Sequence, residues 1–200
     1  MATIGVSKPY YAVYSAAGTS VTYTGGGVMG KATEVGVEIE TTEDNNLYAD
    51  NGVAETDRQF SGGTLTVKPD DLSQEVSKAI LGLKEEEVGT IDGVTDKSVM
   101  ELIYDDDQVT PYLGVGFIIK KQVKGVTKWR AVVLTRVMFS VPADAATTQG
   151  ESIEWQVPEL SATITRDESE KHAWKKEATF TTEAQAEAYI KNRLGITEGP

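Results

Sequence analysis

From Glu34 the chain alternates with period two: Val35, Val37 and Ile39 fall on one side, Glu34, Gly36, Glu38 and Glu40 on the other. Successive strand residues point to opposite faces, so this pattern predicts a half-buried strand with an acidic open face. Tyr10 to Tyr14 and Val21 to Thr24 are further β-prone runs, punctuated by Gly18 and by Gly25-Gly26-Gly27, and Thr64 to Val67 is another after Gly62-Gly63. In the second half, Tyr112 to Lys121 and Trp129 to Ser140 flank a turn at Lys124-Gly125 and predict a long hairpin. Ile153 to Val157 and Leu160 to Thr165 predict two more strands, split by Pro158.

Two segments change period. Leu72, Val76, Ala79 and Ile80 stand at i, i+4, i+7 and i+8, the apolar stripe of a helix. Asp71 with Gln74 reads as its capping box, and Gly82 as its left-handed terminus. A second helix opens at Thr182 with Gln185, places Ala186, Tyr189, Ile190 and Leu194 on one face, and ends at Gly195. Thr41 to Gln59 is polar and aperiodic, which predicts an extended loop; loops beyond ~12–15 residues are usually functional or disordered. Residues 83–97 are acidic, Gly-dotted and without period, and predict a connection. The expected fold is therefore α+β and mostly antiparallel β, a single domain over residues 1–200. It carries the long extended loop 41–59, one flanking mid-chain helix and a short C-terminal helical arm over residues 182–195.

Composition narrows the function classes. A chain of 200 residues with 40 % hydrophobic residues can bury roughly 70 % of its unfolded surface without staples. There is no cysteine, which removes thiol nucleophiles, cysteine metal sites and disulfides and fits a reducing compartment. A single histidine leaves little room for imidazole chemistry. Against 31 acidic residues stand 19 basic ones, a net charge of −12, which disfavours nonspecific binding to phosphate backbones or anionic lipid. No leader is read at Met1–Val6, and no stretch approaches the ~20 apolar residues of a membrane span, so the chain is expected to be made and folded in a cytoplasm.

Several motifs resemble functional signatures. Gly25 to Ala32 approximates a phosphate-binding loop, with Lys31 after Gly30. Such loops need a helix directly after them and Ser or Thr after the lysine; here a strand pattern and Ala32 follow, so a glycine-rich loop between strands is expected. Asp105-Asp106-Asp107 lacks the glycine and glutamate of a calcium loop, since Thr110 and Gly116 occupy those positions. His172 beside Trp174 has no nucleophile elbow to serve, and Glu85-Glu86-Glu87 reads as a solvated run. Lys120, Lys121, Lys124, Lys128 and Arg130 concentrate positive charge on the hairpin, where basic residues blunt edge pairing. No catalytic, cofactor-binding or metal residue is assigned, and no enzyme activity is expected.

The order of segments along the chain resembles the major tail proteins of siphophages and prophages, the phi13 type. The resemblance is carried by Met1-Ala2-Thr3-Ile4-Gly5 with Tyr10-Tyr11-Ala12, by Leu47-Tyr48-Ala49-Asp50-Asn51-Gly52 with Ala54-Glu55, and by Phe60 to Thr66. Asp70-Asp71-Leu72 through Leu81-Gly82, Pro111-Tyr112 with Gly116-Phe117, Phe139 to Pro142, and His172-Ala173-Trp174 continue it. It implies a β-sandwich or partial-barrel subunit without the C-terminal immunoglobulin-like domain that some members carry. Subunits would form hexameric rings that stack into a tail tube, the virion conduit for DNA ejection. The implied partners are further copies of the chain, the tape measure protein and the tail terminator and tip proteins, with transient passage of DNA, no cofactor and no membrane binding. Leu47, Tyr48, Asp50 and Val53 then become candidates for contact between subunits, and Glu38 and Glu40 for the wall facing the lumen. Two other readings stand beside it. One is a carbohydrate- or protein-binding β-sandwich using Trp129, Trp155 or Trp174 as a stacking platform; the other is an enzyme built on the near-phosphate loop.

Overall fold

The computed structural model describes residues 2–89, 91–93, 99–143, 146, 148 and 155–197. Its strands are β1 (Ala2–Ala17), β2 (Ser20–Val28), β3 (Ala32–Thr41), β4 (Asn45–Ala49), β5 (Gly52–Asp57), β6 (Phe60–Pro69), β7 (Lys84–Glu87), β8 (Met100–Ile103), β9 (Leu113–Val123), β10 (Val126–Phe139), β11 (Leu160–Thr165) and β12 (Lys175–Phe180). Helix α1 spans Gln74–Leu81 and α2 spans Glu183–Arg193. Strand accounts for 56 % of the described residues, so the expected mostly antiparallel fold with a mid-chain and a C-terminal helix is what forms. No helix among the described residues is long and apolar enough to cross a membrane.

Eight strands make one sheet in the order β2-β1-β9-β10-β11-β6-β3, with β12 pairing β10 beside that path. Its outermost strands, β2 and β3, are joined by only Met29–Lys31. Laid flat, seven strands would separate them by about 29 Å at ~4.8 Å per step, whereas this link spans at most about 14 Å. The sheet must therefore curl, and it curls without closing. The link is anchored on both sides: Met29 N–H donates to Pro9 O at 2.8 Å, and Lys31 N–H to Asp70 Oδ1 at 2.7 Å.

Side-chain alternation fills the inside of the curl. Tyr11, Leu65, Val67, Val115, Phe117, Val132, Leu134, Ala162 and Ile164 share one core, with Val76, Ile80 and Leu81 of α1 packed into it. Ser73, and not Asp71, caps α1: its hydroxyl accepts from Val76 N–H at 3.3 Å, and the helix starts two residues later than the Asp71–Gln74 spacing suggests. Gly82 ends the helix at φ 68°, as expected.

The outer face of β1, β9 and β10 carries α2. Tyr10, Ala12, Ile118, Ala131 and Val133 form a second core with Ala186, Ile190 and Leu194. Two glycines let the helix approach. A Cβ on Gly114 would stand 2.5 Å from Tyr23 Cε1 and 2.6 Å from Leu194 Cδ2, and one on Gly116 would overlap Ile190. Glu187 then fastens the helix to β1. It pairs with Lys8 and with Lys191 (2.8 Å), and Tyr10 Oη donates to it at 2.7 Å. These donors hold the Glu187 carboxyl at about 2, well below its ordinary 4.5. Ser7 Oγ donates to Glu183 at 3.1 Å in the same contact.

Several sequence expectations change. Gly25-Gly26-Gly27 lies within β2, with Gly25 at φ 59° beside a register shift, so glycine serves a bulge here and no loop forms. No helix follows; β3 does. The 83–97 connection contains β7, which pairs with β8, while residues 90 and 94–97 lie outside the described residues. In the expected strand Ile153 to Val157, Ile153 and Glu154 lie outside the described residues and residues 155–157 are not strand. Strand β12 was hidden by its composition, Lys175-Lys176-Glu177, which is polar because β12 lies at a partly exposed edge.

Two predictions follow from the α2 seat. Gly116→Val should destabilise the fold by about 1–3 kcal/mol through overpacking against Ile190, read as a lower urea midpoint with α2 loosened in amide exchange. Because folding depresses the Glu187 pKa, its contribution to stability is complete above pH 4.5 and fades as pH falls towards 2. Glu187→Gln should therefore flatten the pH dependence of the unfolding midpoint across that window while lowering stability at pH 7.

Candidate assembly surface

Residues 41–59 are the distal half of one hairpin and not a loop. Glu40 pairs with Gly62, Thr41 with Phe60, Asn45 with Asp57, Leu47 with Glu55 and Tyr48 with Val53, so the β3–β6 register runs on through β4–β5. Thr42 N–H bonds Gln59 O at 2.8 Å, and Gln59 N–H bonds Thr42 Oγ1 at 3.0 Å, bridging the two paired stretches. Asp50 and Asn51 turn the tip at φ 49° and 63°, the left-handed pair that a two-residue hairpin turn requires. From Thr42 to Ala49 the arm extends about 25 Å beyond the sheet at ~3.3 Å per residue. Regular pairing was invisible in the sequence because both faces of the arm are exposed, so no apolar alternation marks it.

The arm presents apolar groups to solvent. Leu47 is 60 % exposed, Tyr48 68 % and Val53 52 %. Tyr48 and Val53 are direct cross-strand partners and share a face, while Leu47 opposes Glu55. Asp50 sits at the tip itself. One ion pair stiffens the base: Arg58 Nε and Nη2 donate to the two Asp44 oxygens at 2.6 and 2.7 Å. That fork holds the Asp44 carboxyl below its ordinary range. Sequence reading missed this pair, although aspartate and arginine on facing strands were its signal.

Beneath the arm, Phe60 stacks on Trp174 with centroids 4.6 Å apart and planes at 2°, and Arg166 donates to Phe60 O at 2.5 Å. Trp174 is thereby packed, Trp129 lies against the α2 core, and Trp155 stands 88 % exposed, so the three tryptophans form no common platform. His172 faces the backbone carbonyl of Asp167 at 3.3 Å. Asp105 pairs with Lys84 at 2.6 Å and Glu85 with Lys78. No group of three or more metal-ligating side chains occurs among the described residues.

The sheet offers open edges. Among the described residues, β2, β3 and β12 each pair on one side only. Where the curl fails to close, Val6, Tyr10, Val28 and Ala32 line an apolar cleft of about 330 Å³ between Lys8 and Lys31. Glu38 and Glu40 stand exposed on the outer face of edge strand β3, opposite Thr64 and Gly62, while Val35 and Val37 of the same strand pack inward. Their neighbours on that face include Thr66, Ser161 and Thr163, so the outer surface of β3, β6 and β11 is polar and uncovered by either helix. Ile39 lies on the inner side near the root of the arm and is 39 % exposed. The chain matches no family model, and no curated protein shows significant similarity to it.

Proposed function

We propose that this protein is a structural subunit that assembles with copies of itself into rings, hexameric in the reading that the sequence resemblance favours. Those rings stack into a phage tail tube through which DNA passes. One observation carries the proposal: a curled sheet that stops short of closure, with unpaired strand edges and a hairpin projecting about 25 Å from it. Unpaired edges template further strands, and closure between subunits satisfies them without exposing a hydrophobic core. The exposed Leu47, Tyr48 and Val53 supply apolar contact at the end of a regular, stiffened element, which suits a docking arm. Glu38 and Glu40 would then line a wall that repels a phosphate backbone and lets it slide. The tape measure protein and the terminator and tip proteins would meet the same tube at its bore and ends.

Two experiments test this. Replacing Glu43–Arg58 by Asn-Gly joins Thr42 to Gln59 in a short hairpin that keeps the register of β3 and β6. The variant should keep its unfolding midpoint and lose rings and tubes in negative-stain microscopy; normal tubes would show that the arm is no interlock. Glu38→Lys with Glu40→Lys should permit assembly yet slow DNA ejection, with partial recovery at high salt, because lysines within a Debye length of about 8 Å attract the backbone. Unchanged ejection from normal tubes would put these side chains on the outside.

A further inference from the structure

The tip of the arm joins two residues whose combined chemistry the turn itself does not need. Asn51 is followed by Gly52, whereas Asn45 is followed by Asn46, Asn46 by Leu47 and Asn192 by Arg193. The left-handed residues of the turn are Asp50 and Asn51; Gly52 is not left-handed, and a Cβ on it would meet nothing closer than Ala49 O at 3.9 Å. Neither backbone nor packing requires glycine at 52. What glycine provides there is a backbone nitrogen that no side chain shields, directly beside the Asn51 carboxamide.

Asn51 is exposed, and among the described residues its side chain has no hydrogen-bond partner. The Asn46 carboxamide, in contrast, accepts from Thr56 Oγ1 at 2.7 Å, and Asn192 is held in the last turn of α2. Gly52 is restrained by its terminal pairing with Ala49, and the register shifts between Leu47 and Tyr48 just behind it. The Asp44–Arg58 fork stiffens the other end of the arm. End pairs of a ribbon exposed on both faces open at little cost in free energy. We propose that Asn51 is a self-modifying site. When the tip opens, the Gly52 nitrogen gives its proton to water or hydroxide and attacks Asn51 Cγ. The new N–Cγ bond closes a succinimide ring, the Cγ–Nδ2 bond breaks, and ammonia leaves. Water then opens the ring at either carbonyl, leaving aspartate or isoaspartate; the balance is one water in and one ammonia out. Nucleophile and carbon belong to neighbouring residues, so no second molecule has to be brought into place for the attack. In isoaspartate the main chain runs through the side-chain carbons and gains an atom. A two-residue turn is fixed in length, so the longer chain disturbs the pairing of Tyr48 with Val53, and a carboxylate now stands beside Asp50. Resting on the assembly reading above, the reaction acts as a clock: copies that stay free lose a well-formed arm tip.

The test ages the free protein for days at mildly alkaline pH and reads digests by mass spectrometry, with isoaspartate measured by methyltransferase labelling. The parent should show the mass of an NH-to-O exchange, localised by fragmentation to Asn51 and absent from Asn45, Asn46 and Asn192. Gly52→Val should cut the rate at least about tenfold, because a β-branched side chain crowds the attacking nitrogen. If Asn51 stays intact in the folded parent while a synthetic peptide spanning Tyr48 to Ala54 converts, the folded tip is closed to the reaction and the proposal is overturned. Aged parent should yield fewer rings and tubes in negative stain than fresh parent, while aged and fresh Gly52→Val should match each other. Equal yields from fresh parent and from aged parent with Asn51 converted would overturn the clock. If fresh parent never assembles, the assembly reading and the clock fall together, and the mass change alone decides the modification.

Discussion

A three-residue link between the two outermost strands is the constraint on which this fold depends. Because Met29–Lys31 cannot span a flat sheet, β2 and β3 are drawn together and the sheet bends around whatever lies inside. That bend turns an alternating pattern into an enclosed core, with α1 filling the space the strands leave. It also fixes what is left over. β3 comes against β1 without pairing, with an apolar cleft lined by Val6, Tyr10, Val28 and Ala32 between them, and the hairpin beyond Thr41 pairs within itself.

A second device adjusts the curl. Between Leu134 and Val137 the β9–β10 register shifts by one residue, so Val132 and Leu134 before it, and Val137 and Phe139 after it, all reach the same core. The shift lets one strand edge serve two partners: β12 pairs with Trp129–Leu134 and β11 with Arg136–Phe139. Thr135 at the break is buried yet satisfied. Its hydroxyl donates to Ala173 O at 2.6 Å and its carbonyl accepts from Tyr23 Oη at 2.8 Å. Burial and the nearby Asp167 charge push the Tyr23 hydroxyl far above its ordinary value, which keeps it a donor. A bulge of this kind raises local twist and frees an edge in a single step.

What was legible in the sequence was what a half-buried surface writes into it. β3, β11 and both helices have one apolar face, and their period announced them, while β9 and β10, apolar on both faces, announced themselves as β-prone runs flanking a turn. The Lys124-Gly125 turn was legible because both residues need left-handed backbone, at φ 49° and 79°. The arm, β7, β8 and β12 were not, since strands exposed on both faces or lying at an edge need no alternation. The bulge at Thr135 was hidden because Val132 to Phe139 is apolar on nearly every position, so a phase change leaves no trace. Gly114 and Gly116 were readable as β-strand glycines, yet their use, to admit α2, needed the helix in place. For the candidate site, Leu47, Tyr48 and Val53 stood out as isolated apolar residues in a polar segment; the geometry that makes them a stiff ribbon came from pairing, which has no single-residue signature.

Open edges on a protein of net charge −12 pose a problem of balance. Identical acidic surfaces repel, and an unpaired strand such as β3, with Glu34, Glu38 and Glu40 along it, resists random pairing with a copy of itself. At physiological salt that repulsion fades beyond about 8 Å, so it guards the edges at contact without preventing encounter. What then decides association is local pattern: where a contact joins unlike charge and buries exposed apolar groups, attraction at short range exceeds the screened repulsion of the whole. Leu47, Tyr48 and Val53, exposed on the projecting ribbon beside its own carboxylates, offer apolar groups for a contact of that kind.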